Sequence, residues 1–195
     1  MIHDKTMKEY WHITWVTHNS RLSRRMVKYS IIPGEPVLLD EQAEIFITKI
    51  ISEIVLSANL HYTIEQGAVA PCVKDIPCSG NTPGQENTPC CKVYAYNICK
   101  DHVHMLIECS RIDIANTIRL LKGKSAQRYK EFLGIDAGKE FHLWAQKYNK
   151  WLIQSEDQFR NTVSYIIWNR HKHGLIENKG LQPLVLRMIQ GCGNT

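Results

Sequence analysis

The chain has 195 residues, 44% of them hydrophobic and 22% charged, enough for one well-buried globular domain and too few for two ordinary ones. The opening MIHDKTMKEYWHITW has no apolar signal core, and the most apolar run, IFITKIISEIVLSANL, is broken by Lys49 and Glu53; neither secretion nor a membrane span is indicated, and a cytoplasmic protein is expected. The formal charge is +5, and between Arg111 and Lys179 there are 13 Lys or Arg against 7 Asp or Glu, so the excess sits where it can meet a polyanion, although charge alone fits solvated helix faces better.

Tyr10 to Thr17 alternates and is rich in aromatic and β-branched residues, which predicts a strand. A polar, basic stretch, NSRLSRRMVKYS, leads into a Pro/Gly turn at Pro33 to Pro36. Asp40 then suits an N-cap, and apolar residues at 43, 46, 47, 50, 51, 54, 55 and 58 form a helical stripe able to cover one face of a sheet. Residues 66 to 91 carry Pro, Gly and polar residues without a period and read as an exposed loop or insertion. Four of the chain's seven cysteines lie there, without a CxxC knuckle, so free thiols are expected rather than a structural zinc site.

Two strand-like runs follow, 93 to 99 and 102 to 109, joined at Lys100-Asp101 in a hairpin. Asp113 is placed to cap a helix from Ile114 to about Leu133, interrupted or kinked at Gly123 and dense in Lys and Arg on one side. FHLWAQKYNKWLIQ (141 to 154) reads as a strand. Ser155 opens a capping box with Gln158, and the helix it starts should run to Lys172 and stop at Gly174. Residues 1 to 176 are taken as one domain and 177 to 195 as a C-terminal tail. The order of elements implies an α+β chain with an antiparallel sheet and helices packed on it.

His102 and His104 open the second strand of the hairpin. Side chains at i and i+2 of a strand leave the same face, so the two imidazoles point one way while Val103 and Met105 point the other. Such a pair supplies two ligands of a divalent-cation site, and Asn169 in the last helix, SYIIWNRHKHG, is the best candidate for a third. Tyr165 lies four residues before Asn169, which would place a phenol beside the ion. Each residue also has a plain structural explanation: sheet histidines, a tyrosine packed on the sheet, an asparagine near a helix end.

Taken together, DHVHML, LWAQKYNKWLI and YIIWNRHKHGL, in this order, resemble the HUH-type single-tyrosine transposases, in particular the REP-associated tyrosine transposase branch, over most of the chain from YWHITWVTH to Leu175. The resemblance implies a ferredoxin-like or RRM-like antiparallel sheet in the HUH endonuclease architecture. It implies a Mg or Mn ion held by His102, His104 and Asn169, Tyr165 as nucleophile, and hairpin-containing single-stranded DNA as substrate. The product it implies is a covalent 5′-phosphotyrosine whose reversal transfers the strand. A homodimer is common in the family.

The chain departs from the family pattern in having Lys100 where Pro often stands and Arg170 where Pro usually follows the asparagine, so the last helix could extend further. For DNA binding the candidates are Arg119, Lys122, Lys124, Arg128 and Lys130 on the helix after the hairpin, with Lys147, Lys150, Arg170 and Lys172 flanking the site. Trp144, Tyr148, Trp151 and Trp168 offer stacking surfaces, at least half of them better explained as core. Tyr148 is a rival nucleophile. Two other classes fit parts of the pattern: a non-catalytic single-stranded nucleic-acid-binding α+β domain, and a metal-dependent hydrolase that uses an activated water.

Overall fold

The computed structural model describes residues 8–22, 24–67 and 91–191. The predicted loop at 66 to 91 lies outside them except at its ends, where a helix reaches Gly67 and Cys91 is buried. Four strands, β1 (Lys8–Val16), β2 (Lys92–Cys99), β3 (His102–Ser110) and β4 (Asn149–Ile153), form one sheet in the order β2-β3-β1-β4. Every neighbouring pair is antiparallel. With α2 (Glu41–Gly67) between β1 and β2, and α3 (Ile114–Phe132) between β3 and β4, the connectivity is that of a ferredoxin-like α+β fold. A short helix that the sequence reading does not anticipate, α1 (Arg24–Lys28), precedes α2.

Alternation along each strand decides which layer it meets. Trp11, Ile13 and Trp15 of β1, and Val103, Met105 and Ile107 of β3, face the layer of α2 and α3, where Ile47, Ile51, Ile118 and Leu121 complete the core. Asp40 caps α2 as its position predicts, its Oδ1 accepting the Ala43 amide at 2.8 Å. At α3 the expected cap fails: the Asp113 side chain takes the Ser110 hydroxyl instead of a helix amide. The helix also runs unbroken through Gly123, where an added Cβ would meet nothing within 4 Å. A glycine in a helix interior is destabilising through its larger backbone entropy loss. Gly123→Ala is therefore expected to stabilise the protein by about 0.5–1 kcal/mol, read as a higher urea midpoint at unchanged slope.

The second layer is thinner. Helix α4 (Glu156–Ile167) lies on the opposite face of the sheet, with Ile166 against Ala95 and Leu106. The Ser155 hydroxyl accepts the Gln158 amide at 3.2 Å, as a capping box requires, but the Gln158 side chain reaches one residue further back, to the Gln154 amide. The helix does not continue smoothly to Lys172: it breaks at Trp168 and resumes as the single turn α5 (Asn169–Lys172). Gly174, at φ +63, ends it as predicted, in a conformation few other residues adopt.

Two further expectations change. The strand read over 141 to 154 is only β4, with Trp144 making an isolated bridge to Thr17. The predicted tail contains α6 (Leu181–Gln190), which packs on α2 and buries Leu181 and Met188. Gly191, just after it, passes so close to Leu56 that a Cβ would lie 2.1 Å from Leu56 Cδ2. Among the described residues no helix is long and apolar enough to cross a membrane, and Cys91, Cys99 and Cys109 are in no disulfide.

Candidate active site

On the face covered by α4, β3 presents His102 and His104, each less than a tenth exposed, while Val103 and Met105 are fully buried on the other side. The register sets Cys99 of β2 and Val16 of β1 beside His102, and Asn97 and Thr14 beside His104. The two imidazole centroids are 5.0 Å apart and almost perpendicular.

The end of α4 is fastened to this face by Asn97. Its amide donates to the carbonyls of Ile166 at 2.7 Å and Ile167 at 3.3 Å, satisfying acceptors that a helix terminus leaves open. With that end fixed, Tyr165 lies over the sheet, its ring 5.2 Å from His104 and perpendicular to it, and the next turn carries Asn169 inward. Asn169 is fully buried, and its Oδ1 is 2.8 Å from His102 Nε2 and 3.3 Å from the Cys99 thiol that donates to it. Its Nδ2 is buried without a partner. Tyr165 is 39% exposed, so its hydroxyl is open to a ligand.

Asp101 lies behind His102 and accepts a hydrogen bond from its Nδ1, with Arg21 pairing to the other carboxylate oxygen at 2.9 Å. The bond from His102 and the charge of Arg21 hold the Asp101 carboxyl below its usual range against the cost of burial. Burial also disfavours a charged His102, but hydrogen bonds to Asp101, Cys99 and Asn169 outweigh it and raise the ring to about 9. With Nδ1–H given to Asp101, Nε2 and the Asn169 oxygen face each other as two lone-pair donors, and something positive must lie between them. A proton on Nε2, donated to that oxygen, meets this requirement. His104 goes the other way: burial first, then the neighbouring histidines and Lys172, lower it to about 3 and keep it neutral.

Imidazole nitrogens and an amide oxygen gathered on one face, with the amide's donor end left over, are donors of a kind that fit a divalent cation. Among the described residues no group of three or more His, Cys, Asp or Glu side chains is arranged to hold a metal, so the set depends on the asparagine.

Sequence reasoning missed several residues of this site. His12 of β1 places Nε2 3.1 Å from His104 Nδ1, and its ring is 5.9 Å from Tyr165. The alternation of β1 puts His12 on the polar face, but nothing local to it says that β1 lies beside β3. The sequence marks Asp101 only as half of a turn. His173 also joins, its ring 4.9 Å from His102, and Lys172 Nζ lies 4.9 Å from the Tyr165 ring.

The proposed DNA-binding cations are mostly elsewhere. Arg119, Lys122, Lys124 and Arg128 are on α3, in the layer behind the sheet. Lys122 is tied internally, its ammonium donating to the carbonyls of Ala145, Gln146 and Lys147 at 2.7, 2.9 and 3.3 Å, and burial lowers its pKa. Arg128 pairs with Glu53, and Lys130 donates to the carbonyls of Ala137 and Lys139. Lys147 is exposed, while Lys150 on β4 lies over the Trp11 ring, on the side away from the histidines. Arg170 is not a DNA ligand in waiting: its guanidinium is 13% exposed and bound to Glu44 at 2.7 Å, to the Ile98 carbonyl and to the Ile176 carbonyl. It holds the turn after α5 where the family has proline, and the helix ends nearby instead of extending. Only Lys172 of the nine lies against the tyrosine. Trp144 is core and Tyr148 packs against it, whereas Trp151 and Trp168 are exposed, Trp151 with its ring 5.4 Å from His12.

One face of a ferredoxin-like sheet thus carries an HxH pair, an amide oxygen and a partly exposed tyrosine. Residues 84–169 match the family model described as Transposase IS200 like, a span that ends on Asn169 and includes both histidines and Tyr165. Over this span the chain is similar to the IS200-like transposases. Among solved structures it is similar to a REP-associated tyrosine transposase bound to a REP hairpin, at 14% identity over 86% of this chain and 70% of that one, with a TM-score of 0.43. It is also similar to a candidate transposase from Deinococcus radiodurans R1, at 18% identity over 84% and 91% of the two chains, with a TM-score of 0.40. No curated protein matches the sequence.

Proposed function

We propose that this chain is a metal-dependent single-stranded DNA endonuclease and strand transferase of the REP-associated branch, acting at hairpins or repeats through a covalent 5′-phosphotyrosine on Tyr165. The observation that carries the reading is the meeting of Tyr165, His104, His102 and Asn169 on one sheet face, with ring centroids 5.2 Å apart for the first pair and a 2.8 Å contact for the last.

His102, His104 and Asn169 would hold a Mg or Mn ion, and the chemistry such an ion supplies is Lewis-acid polarisation of the scissile phosphate. Tyr165 Oη attacks phosphorus, the bond from phosphorus to the 3′ oxygen breaks, and that oxygen leaves as a free 3′-hydroxyl. The phenol gives up its proton, a step disfavoured near neutral pH for an ordinary tyrosine with a pKa of about 10. Lys172 places a positive charge 4.9 Å from the ring, where it can meet the phosphate that the tyrosine attacks. Because the phosphodiester energy is kept in the phosphotyrosine, attack by another 3′-hydroxyl rejoins strands without ATP. Trp151 and Trp168 offer flat exposed surfaces for unpaired bases next to the nucleophile.

The test is incubation of the full chain with single-stranded hairpin oligonucleotides and Mn or Mg, resolved on a denaturing protein gel. A slower band that requires DNA and the metal supports the reading, and its absence across a broad set of hairpins and both metals overturns it. The role given to Asp101 has a separate readout. Outer partners that orient a metal-binding histidine typically contribute 10–100-fold to affinity. Asp101→Asn is expected to weaken Mn binding by about that factor in calorimetry without DNA.

A further inference from the structure

His12 of β1 has no part in the chemistry above. Its partner across the strands is Leu106, while Thr14 pairs with His104, so His12 and His104 are diagonal neighbours on one face and within reach of each other. His12 Nε2 is 3.1 Å from His104 Nδ1, whereas the ring centroids are 5.3 Å apart and the planes differ by 29°. The nitrogens are thus much closer than the ring centres, which sets the two imidazoles edge to edge with their nitrogens in line. No other side-chain hydrogen bond of His104 is present among the described residues. The ring of His12 is half-buried and packs against Trp151 and Tyr165 at 5.4 and 5.9 Å, contacts that fix its plane.

A hydrogen bond between two neutral imidazoles holds one proton, and the place of that proton decides what the rest of each ring can do. With the proton on His104 Nδ1, His12 accepts and His104 Nε2 keeps a bare lone pair. With the proton on His12 Nε2, His104 accepts at Nδ1 and carries its own proton on Nε2, which closes the ligand position. At His102 the same choice is made by Asp101, which takes the Nδ1 proton and leaves Nε2 turned toward Asn169. His12 occupies on His104 the place that Asp101 occupies on His102. It is not itself a third imidazole ligand: its Nε2 is aimed at the back of His104, and among the described residues no three His, Cys, Asp or Glu side chains are arranged to hold a metal.

We propose that His12 is a positioning residue that accepts the Nδ1 proton of His104 and thereby presents His104 Nε2, unprotonated and turned toward Tyr165 and Asn169, to the divalent ion. The proposal rests on the reading of this face as a metal site. Both histidine ligands are then gripped at Nδ1 by a partner on the sheet, one by a carboxylate and one by an imidazole, and the second grip adds no formal charge beside the nucleophile.

The test needs no DNA. In the full chain without metal, labelled at the histidine ring nitrogens, long-range proton–nitrogen NMR correlations near neutral pH distinguish a protonated from a bare nitrogen, with His104 assigned by its loss in His104→Gln. The wild type is expected to carry the His104 proton on Nδ1. His12→Phe keeps a ring against Trp151 and Tyr165 but removes the acceptor, so the proton should move at least in part to Nε2. In calorimetry the same variant should bind Mn about 10–100-fold more weakly, and His12→Gln, whose side-chain oxygen can accept in place of Nε2, should recover most of the affinity. A packing role alone would be served by phenylalanine and would move neither readout. A wild-type His104 with its proton on Nε2 overturns the proposal, as does a folded His12→Phe with either readout unchanged. Should His12→Phe not fold, the wild-type spectrum still decides. A wild type that has the proton on Nδ1 and binds no Mn would sink the metal reading and leave the tautomer assignment standing.

Discussion

Tyr165→Phe is expected to abolish the covalent adduct and to lower strand cleavage by at least about a thousandfold, because removal of a nucleophile eliminates the covalent route instead of weakening one contact in it. The change is confined to one oxygen. The ring keeps its edge against His104 and its place under Lys172, and at 39% exposure the lost hydroxyl leaves no buried hydrogen-bond partner behind among the described residues. Stability should stay within about 0.5 kcal/mol and DNA affinity should hold. The measurement is cleavage of a radiolabelled hairpin oligonucleotide under single-turnover conditions, with a thermal melt as the control for folding. Cleavage at the wild-type rate would assign the reaction to an activated water and end the case for tyrosine. A rival at Tyr148 is disfavoured by place: it packs on the core of the other layer, away from both histidines.

The second large effect concerns stability. Arg170→Leu should cost roughly 3–5 kcal/mol, the usual penalty for stranding one member of a buried ion pair. Glu44 is 2% exposed at its side chain and would keep only the Asn178 amide, 3.2 Å away. For a chain of this size that corresponds to a fall in Tm on the order of 10 °C. Replacing both residues with leucine should recover most of the loss, since two apolar groups of similar volume leave no charge unpaired.

The pH dependence has a definite sign. Burial already raises the Glu44 carboxyl above its ordinary value, while Asn178 and Arg170 pull it back. Without Arg170 it rises further. The folded state then binds a proton that the unfolded state binds only at lower pH, so stability increases as pH falls through the interval between the unfolded and folded values. The deficit of Arg170→Leu should therefore shrink in urea melts taken at lower pH. A deficit that grows under the same conditions would show that Glu44 is not the stranded charge.

Most local structure could be read from the chain because it has local causes. The β1 alternation, the apolar stripe of α2, the cap at Asp40, the hairpin around Lys100-Asp101 and the stop at Gly174 each follow from side-chain spacing or backbone freedom within a few residues. Misses of the same range have equally specific causes. Asp113 had a better donor in the Ser110 hydroxyl than in its own helix, and Leu181 and Met188 make α6 part of the core only because α2 lies beneath them.

The amino-acid sequence by itself determined that His102 and His104 share a face, that Tyr165 and Asn169 are one turn apart, and that the pattern resembles that of the single-tyrosine transposases. Tertiary structure decided the rest. Strand order brought His12 to His104, the Asn97 amide fixed the end of α4 over the site, and the two-layered arrangement sent the cations of α3 to the far side of the sheet. Lys122 and Arg170 look like free charges in the sequence and are internal ties in the fold. The physical reason is that spacing along one element sets only the direction of a side chain, whereas its partner comes from a residue tens of positions away, through pairings that no local pattern encodes.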